Sequence, residues 1–181
     1  MKLNYKSFLA AAILAVLGTN ANAELLYDIF AGGTAGLGGM ALSTDDLDRT
    51  SWSAQSYGVV AGVDLPVVRF EGEYNYLNSD EMDLHLVMGN AYVKLLGPAI
   101  VNPYIGVGVG VMVDGNTKYD VDLDTAVAYQ GMLGATFNIP VLPLKIDLEA
   151  RALLMPDLFS VGKEDVDALH YDARVKLRYV F

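Results

Sequence analysis

Cysteine is absent from this chain of 181 residues. Its absence excludes a disulfide framework, a thiolate nucleophile, a cysteine metal site and lipidation of the lipoprotein type. Histidine is scarce, with only His85 and His170 in the sequence. Basic residues are also few, with 12 lysines and arginines against 22 aspartates and glutamates. This excess of acid argues against nucleic acid as a partner, because phosphate contacts require clustered lysine and arginine.

A long hydrophobic run is also missing beyond residue 23, although 53% of all residues are hydrophobic. No stretch there is long enough for a membrane helix. A β-barrel resolves this contradiction, because its lipid-facing surface consists of every second residue and never appears as one block.

The first 23 residues have the pattern of a secretory signal peptide. Lys2 and Lys6 form a basic head, residues 8–17 an apolar core too short to span a bilayer, and residues 21–23 a small-residue cleavage site. We therefore predict a signal peptide at 1–23, cleaved during export across the inner membrane. Residues 24–181 have the length of one domain.

Two kinds of break divide the remaining chain into eight segments. Short breaks at 64–68, 97–103 and 140–143 contain proline and almost no charge. Longer breaks near 38–52, 77–83, 114–124 and 156–167 each carry a cluster of acidic residues. Short turns at one end and longer loops at the other are typical of an outer-membrane barrel.

Most segments alternate between apolar and polar residues, as strands with two different faces do. In the last segment, apolar residues from Leu169 to Phe181 share one parity and charged residues the other. In the fifth, residues 104–113, valines alternate with glycines. The parity of the fourth segment, near 84–95, stays open, because Asn90 and Lys94 indicate one answer and His85 the other.

Alternation alone does not say which face meets water, and a soluble lipocalin-like barrel would place its apolar residues inside. Three features favour apolar residues outside. Glycine makes a poor solvated face but leaves room inside a lumen for long charged side chains. Tyrosines fall near segment ends, where aromatic girdles belong; they are Tyr27, Tyr57, Tyr76, Tyr104, Tyr171 and Tyr179. The strand charges are nearly balanced, with Asp28, Lys94 and Lys145 among them. Paired charges inside the barrel explain that balance, and the predicted lumen charge network comprises Arg69, Glu71, Glu73, Asp147, Glu149, Arg151, Asp172, Arg174, Lys176 and Arg178.

Four sequence stretches carry a family resemblance. They are residues 103–110 (Pro-Tyr-Ile-Gly-Val-Gly-Val-Gly), Asn90-Ala91-Tyr92, Ala128-Tyr129-Gln130 with Gly131 and Gly134, and the terminal Arg178-Tyr179-Val180-Phe181. The chain resembles the small eight-stranded outer-membrane barrels, which include the OmpA transmembrane domain, OmpX and the opacity-type porin-like proteins. The resemblance implies the outer membrane of a Gram-negative bacterium. It also implies that Leu177, Tyr179 and Phe181 form the signal that the barrel-assembly machinery reads.

The fold class we predict is all-β, an eight-stranded antiparallel up-and-down transmembrane barrel. A barrel of this size is filled by its own side chains. A wide aqueous pore therefore does not follow. The leading function is non-enzymatic, in envelope structure or surface interaction through acidic extracellular loops. The partners expected are outer-membrane lipid and lipopolysaccharide, the protein being a monomer without a cofactor. A narrow channel for small solutes and a lipid-modifying enzyme are the alternatives.

The candidate chemistry has a simpler interpretation in each case. His170 with Asp172 and Ser160, or His85 with Ser79, could serve a hydrolase, but histidines hydrogen-bonded at the barrel rim are expected. The carboxylates of Asp120, Asp122 and Asp124 could hold Ca²⁺, and divalent cations could link such loops to lipopolysaccharide phosphates. Residues 32–39 resemble a phosphate loop only in composition, so a strand that passes into a loop is expected there. Trp52 is expected to anchor the membrane interface.

Overall fold

The computed structural model describes residues 27–44, 47–79, 82–95, 100–117, 126–161 and 164–181. The predicted signal peptide, residues 1–23, lies outside the described residues. The described residues form eight strands: β1 (Asp28–Thr44), β2 (Leu47–Asp64), β3 (Val68–Ser79), β4 (Met82–Lys94), β5 (Val101–Thr117), β6 (Val127–Asn138), β7 (Leu144–Val161) and β8 (Glu164–Val180). Within these ranges, no helix has the length and apolar character needed to cross a membrane.

The strands form one closed barrel in chain order. Each strand pairs with the next in antiparallel register, and β1 also pairs with β8, from Phe30 opposite Val180 to Ser43 opposite Asp167. Closure leaves no free sheet edge, which removes the usual site of edge-to-edge aggregation. The predicted eight-stranded antiparallel barrel is confirmed.

Short connections mark one end of the barrel, which we call the turn end. They join β2 to β3, β4 to β5, and β6 to β7, at the three positions where the sequence predicted short breaks. Two are closed by backbone hydrogen bonds, from Leu65 N to Val68 O at 2.9 Å and from Leu142 N to Ile139 O at 3.3 Å. The other four hairpins meet at the opposite end, which we call the loop end.

The strands at the loop end are longer than predicted. The expected breaks at 38–52, 114–124 and 156–167 were too wide, because β1 continues to Thr44, β5 to Thr117 and β7 to Val161. Backbone pairing continues there although side-chain alternation stops, since hydrogen bonds between strands do not depend on an apolar face. Residues 32–39 are likewise paired on both sides, with β2 and β8, so the expected transition from strand to loop within them is wrong.

Alternation sorts the side chains into an inner and an outer face as the sequence predicted. On β5, Ile105, Val107 and Val109 point outward and are at least half exposed. Gly106 and Gly108 point inward, where an added Cβ would meet the Tyr92 ring and the side chains of Asn90 and Gln130. The glycines therefore make room for uncharged neighbours rather than for the long charged side chains that were expected.

Two questions of orientation are settled by the strand register. On β4, Asn90 points inward and is buried, and His85 lies on the outer face, so the parity indicated by Asn90 and Lys94 is correct. Tyr104 was expected in the aromatic girdle, but it points into the lumen and is fully buried. This prediction was wrong because Tyr104 has the parity of the inward glycines on the same strand.

Candidate functional site

Ionised side chains fill the lumen in the half of the barrel nearest the turn end. Seven basic and seven acidic residues form ion pairs there, and we call this set the lumen charge network. It consists of Arg69, Lys94, Lys145, Arg151, Arg174, Lys176 and Arg178 with Asp28, Asp64, Glu71, Glu73, Asp147, Glu149 and Asp172. Equal numbers of both signs leave no net charge. Such balance is needed in a narrow lumen, because breaking a buried pair costs about 3–5 kcal/mol.

Asp64 organises the charges at the turn-end mouth. Its carboxylate accepts hydrogen bonds from Lys94 Nζ at 2.6 Å, Lys145 Nζ at 3.0 Å and Arg178 Nη1 at 3.4 Å. Lys145 also contacts Asp28 at 3.0 Å. The sequence analysis missed Asp64 by assigning it to a turn. Its parity, shared with the buried Ser56 and Val60 of β2, was the available signal.

The next level of the lumen is centred on Asp147. Arg178 donates to this carboxylate through Nε at 2.7 Å and Nη2 at 2.9 Å. Arg69 Nη1 reaches the same carboxylate from β3 at 3.2 Å, and the Thr136 hydroxyl donates at 2.6 Å. One side chain thus ties β3, β6, β7 and β8 together.

Two tyrosine rings flank the guanidinium of Arg69. Its Cζ atom lies 3.9 Å from the centre of the Tyr92 ring and 4.6 Å from that of Tyr104. Such cation–π contacts contribute most where water is excluded. The hydroxyls of both rings donate to carboxylates, Tyr92 to Glu71 at 3.0 Å and Tyr104 to Glu149 at 2.9 Å. The inward tyrosines therefore belong to the network as much as the charged residues do.

Arg174 bridges opposite walls at the middle of the barrel. It donates through Nη1 to Glu73 on β3 and through Nε to Glu149 on β7, each at 2.5 Å. Lys176, two positions nearer the turn end on β8, donates to Glu71 at 2.6 Å. All five side chains are buried. Because β3 and β8 are not neighbours in the barrel, the contacts to Glu73 and Glu71 cross the lumen.

The ion pair nearest the loop end joins Arg151 to Asp172. The guanidinium donates to the carboxylate in bidentate fashion, at 2.9 and 2.6 Å. The Ser56 hydroxyl donates to the same carboxylate at 2.6 Å, and His170 Nε2 lies 3.2 Å from it. Ser56 bonds to Asp172 rather than to His170, so the imidazole is not placed to take a proton from this serine as a hydrolase would require.

On the loop-end side of His170, the side chains that line the lumen change from charged to apolar. Thirteen buried residues form one cluster in the half nearest the loop end, and we call it the apolar plug. Its members are Met40, Ala54, Leu77, Met82, Leu84, Leu86, Met88, Met112, Ala126, Ala128, Leu153, Met155 and Ala168. Five are methionines, whose unbranched side chains fill irregular gaps. The sequence analysis missed this plug because it left the parity of β4 open, and β4 supplies four of the members.

Known structures share this architecture. The chain is similar to Neisserial surface protein A, with a TM-score of 0.61 and 16% identity over 84% of this chain and 96% of that one. It is also similar to the N-terminal β-barrel domain of Pseudomonas aeruginosa OprF, with a TM-score of 0.52 and 11% identity over 82% and 97% of the two chains. The fold is that of the small eight-stranded outer-membrane barrels. No family model matches the sequence, and no curated protein matches it either.

The outer wall of this outer-membrane barrel fold is apolar wherever its side chains are described along the middle of the strands. Leu133, Leu148 and Val175, on three successive strands, are each about half exposed or more. A groove of about 720 Å³ lies in this wall between Phe70 and Val107, over the directly paired Gly72 and Gly89.

His85 sits on the outer wall of the barrel fold near the loop end. Its Nδ1 atom is 2.7 Å from the Tyr74 hydroxyl, and its ring stacks on Tyr76 with 4.9 Å between centroids. Ser79 uses its hydroxyl on the backbone of Met82 instead. The candidate pair of His85 and Ser79 is therefore not assembled, in line with the simpler interpretation of these residues. The side chain of Ser160, proposed for the first pair, lies outside the described residues.

All ten residues of the predicted network lie inside the barrel and are buried. The predicted assembly residues Leu177, Tyr179 and Phe181 lie on the outer wall, each about half exposed, and the last two rings contact edge to face at 5.1 Å. Among the residues described, no group of histidine and carboxylate side chains is arranged to hold a metal ion. The acidic stretch 120–124 and the side chain of Trp52 lie outside the described part of the chain.

Proposed function

We propose that this protein spans the outer membrane as a sealed structural barrel and acts through its acidic loop end, without enzymatic activity. The apolar outer wall supports a membrane position, since a wall exposing this many valines and leucines would be costly in water. The signal-peptide pattern of residues 1–23 supports export across the inner membrane.

The main argument against a channel is that two layers fill the lumen, the lumen charge network and the apolar plug. In the turn-end half, Arg174, Lys176 and Arg178 reach across the lumen and pair with carboxylates on other strands. In the loop-end half, the apolar plug lines the lumen with aliphatic and methionine side chains, and apolar constrictions exclude water. A solute would have to break buried ion pairs and then cross a dry layer.

The charge distribution supports a role at the loop end. Residues 45–52, 80–83, 114–124 and 157–167, which join or flank the strands there, contain 14 acidic and three basic residues. With the lumen charges balanced, almost all of the protein's net negative charge belongs to this end. Carboxylates prefer hard divalent cations, and such cations would link the loops to the phosphates of lipopolysaccharide or to other anionic surface molecules.

Single-channel recording tests the sealed barrel. The mature protein, refolded into planar bilayers, should show no discrete conductance steps at salt concentrations where a general porin, inserted as positive control, conducts. Reproducible openings that scale with the amount of inserted protein would instead establish the channel alternative.

A turnover assay tests the absence of enzymatic activity. Refolded protein should release no acyl chain from lipid A or phospholipid beyond the level of its His170→Ala variant. Turnover that disappears in that variant would establish a lipid-modifying enzyme and overturn the proposal.

A further inference from the structure

The three connections at the turn end contain no polar side chain. Residues 65–67 are Leu-Pro-Val, residues 95–100 are Leu-Leu-Gly-Pro-Ala-Ile, and residues 139–143 are Ile-Pro-Val-Leu-Pro. Tight turns normally use glycine, asparagine, aspartate and serine, whose side chains satisfy the backbone and face water. The composition of all three connections departs from this rule in the same direction.

Most of the described side chains in these connections are exposed rather than packed inside. Val141 is fully exposed, Ile100 is 60% exposed, and Leu142, Val67 and Leu95 are each about half exposed. The lumen beneath them is already filled by paired charges, so they have no core to enter. Apolar exposure concentrated at one end of a molecule indicates a surface that another apolar medium covers.

Val141 also has a backbone conformation that does not suit it. Its φ angle is 73°, in the left-handed region that glycine and asparagine adopt far more readily than a β-branched residue. An exposed valine in this conformation gains nothing from packing within the protein. Glycine would be the expected residue at this position in water, whereas an apolar environment around the turn would favour the valine side chain.

The apolar surface of the turns continues the apolar outer wall without interruption. It extends from Ile100, directly before β5, through Ile105 to Val113 on that strand. At about 3.3 Å per residue and a tilt near 40°, these 13 steps cover roughly 33 Å along the barrel axis. The apolar band of an outer-membrane barrel is only about 25 Å tall. The band and the turns together therefore exceed one hydrocarbon core and reach into the headgroup region of the leaflet at the turn end.

The charged side chains near this end lie on the strands and not in the turns. Asp64 is buried, its partners Lys94 and Lys145 are each 20% exposed, and Asp28, which is 49% exposed, pairs with Lys145 at 3.0 Å. The turns themselves carry no charged side chain, and lipid is the occupant that their composition fits.

We infer that the three turns are immersed in the phospholipid leaflet at the turn end of the barrel, with Val67, Ile100 and Leu142 among the acyl chains near the glycerol groups. The barrel is anchored asymmetrically, held by apolar turns on one side and bounded by acidic loops on the other. This inference rests on the proposed membrane position and adds the depth at which the barrel sits.

Depth-dependent fluorescence quenching tests the inference. Trp52 is the only tryptophan in the chain, so Trp52→Phe gives a background into which Val67→Trp or Leu142→Trp is introduced singly. Leu148→Trp, at an equally exposed position in the middle of the wall, is the matched control. Each variant is refolded into phosphatidylcholine vesicles whose acyl chains carry bromine either near the glycerol end or near the methyl end.

Both turn variants should emit at shorter wavelength than tryptophan in water and be quenched most by bromine near the glycerol end. Leu148→Trp should be quenched most by bromine near the methyl end. Quenching of Leu148→Trp alone, with water-like emission from both turns, would leave the membrane position intact and overturn immersion. That outcome would point to a periplasmic protein as the cover of the turns. Water-like emission from all three would overturn both proposals.

Discussion

Arg174 shows at the scale of one residue how the barrel holds its shape. Its guanidinium is buried between Glu73 and Glu149, two carboxylates on different strands. Neither carboxylate could remain ionised and buried without a cation at hydrogen-bonding distance. The sequence predicted that Arg174 faces inward, because it alternates with the apolar Ala173 and Val175. Its two partners could not be predicted, because they depend on how the sheet closes.

Replacing Arg174 by leucine should destabilise the barrel by about 3–5 kcal/mol, because two buried carboxylates lose their shared partner. The control is Lys145→Met at the turn-end mouth, where partial exposure lets water replace the lost pair and the expected loss is below about 1 kcal/mol. Urea-induced unfolding in detergent micelles measures both. An Arg174→Leu variant as stable as the wild-type protein would refute a stabilising role for the network.

Two glycines on β6 allow a matched test of the inner and outer faces. A Cβ added at Gly134, which faces inward, would lie 2.5 Å from the Leu148 carbonyl oxygen and 2.7 Å from the Tyr104 hydroxyl. A Cβ at Gly131, which faces outward, would meet no atom within 4 Å. Gly134→Ala should therefore lower the free energy of unfolding by about 1–3 kcal/mol. Gly131→Ala should be neutral or stabilising by up to about 1 kcal/mol. The same unfolding assay distinguishes them, and equal effects would contradict the assignment of faces.

At the scale of the strand, parity was the most informative property of the sequence. Strands β3, β5, β6, β7 and β8 alternate over much of their length, and apart from Tyr104 their inner and outer faces follow the prediction. Strand β4 failed because both of its faces are largely apolar at the loop end, with Leu84 and Leu86 inside and Val87 outside. Alternation carries no information where both sides of a strand are apolar. The apolar plug was hidden for this reason.

The C-terminal strand carries a separate prediction about assembly. Leu177, Tyr179 and Phe181 lie together on the outer wall near the turn end, where a folding factor could read them before the barrel closes. Phe181→Ser should reduce the fraction of protein assembled in the outer membrane several-fold. The control is Tyr171→Ser, which removes an equally exposed aromatic residue from the same face of β8.

Heat-modifiable migration of outer-membrane fractions on gels measures the assembled fraction of both variants. Refolding of purified Phe181→Ser in detergent should remain efficient, since this side chain is not part of the core. Equal assembly of the two variants in cells would contradict a signal at the C-terminus.

At the scale of the whole molecule, charge and apolar surface are distributed unequally between the two ends of the barrel. Acidic residues are concentrated at the loop end, a neutral network fills the lumen, and apolar turns form the opposite end. A barrel with this gradient has one favourable orientation in a membrane, because moving the charged loops through hydrocarbon is far costlier than moving the turns.

Divalent cations should stabilise the protein in membranes that contain lipopolysaccharide. With 14 acidic and three basic residues at the loop end, unscreened repulsion between the loops and the lipid phosphates should otherwise lower stability. Adding a chelator should lower the thermal unfolding midpoint in lipopolysaccharide vesicles but not in phosphatidylcholine vesicles. A variant with Asp120→Asn, Asp122→Asn and Asp124→Asn should respond less, and an unchanged midpoint in both lipids would exclude cation bridging.

The sequence by itself determined the number of strands, their order along the chain and the orientation of most side chains, because these depend on local alternation and on turn chemistry. Tertiary structure alone decided which charges pair and that an apolar plug lies on the loop-end side of the ion pairs. Those features arise when strands far apart in sequence face each other across a closed barrel. The distances between facing side chains are set by that closure and by no single strand.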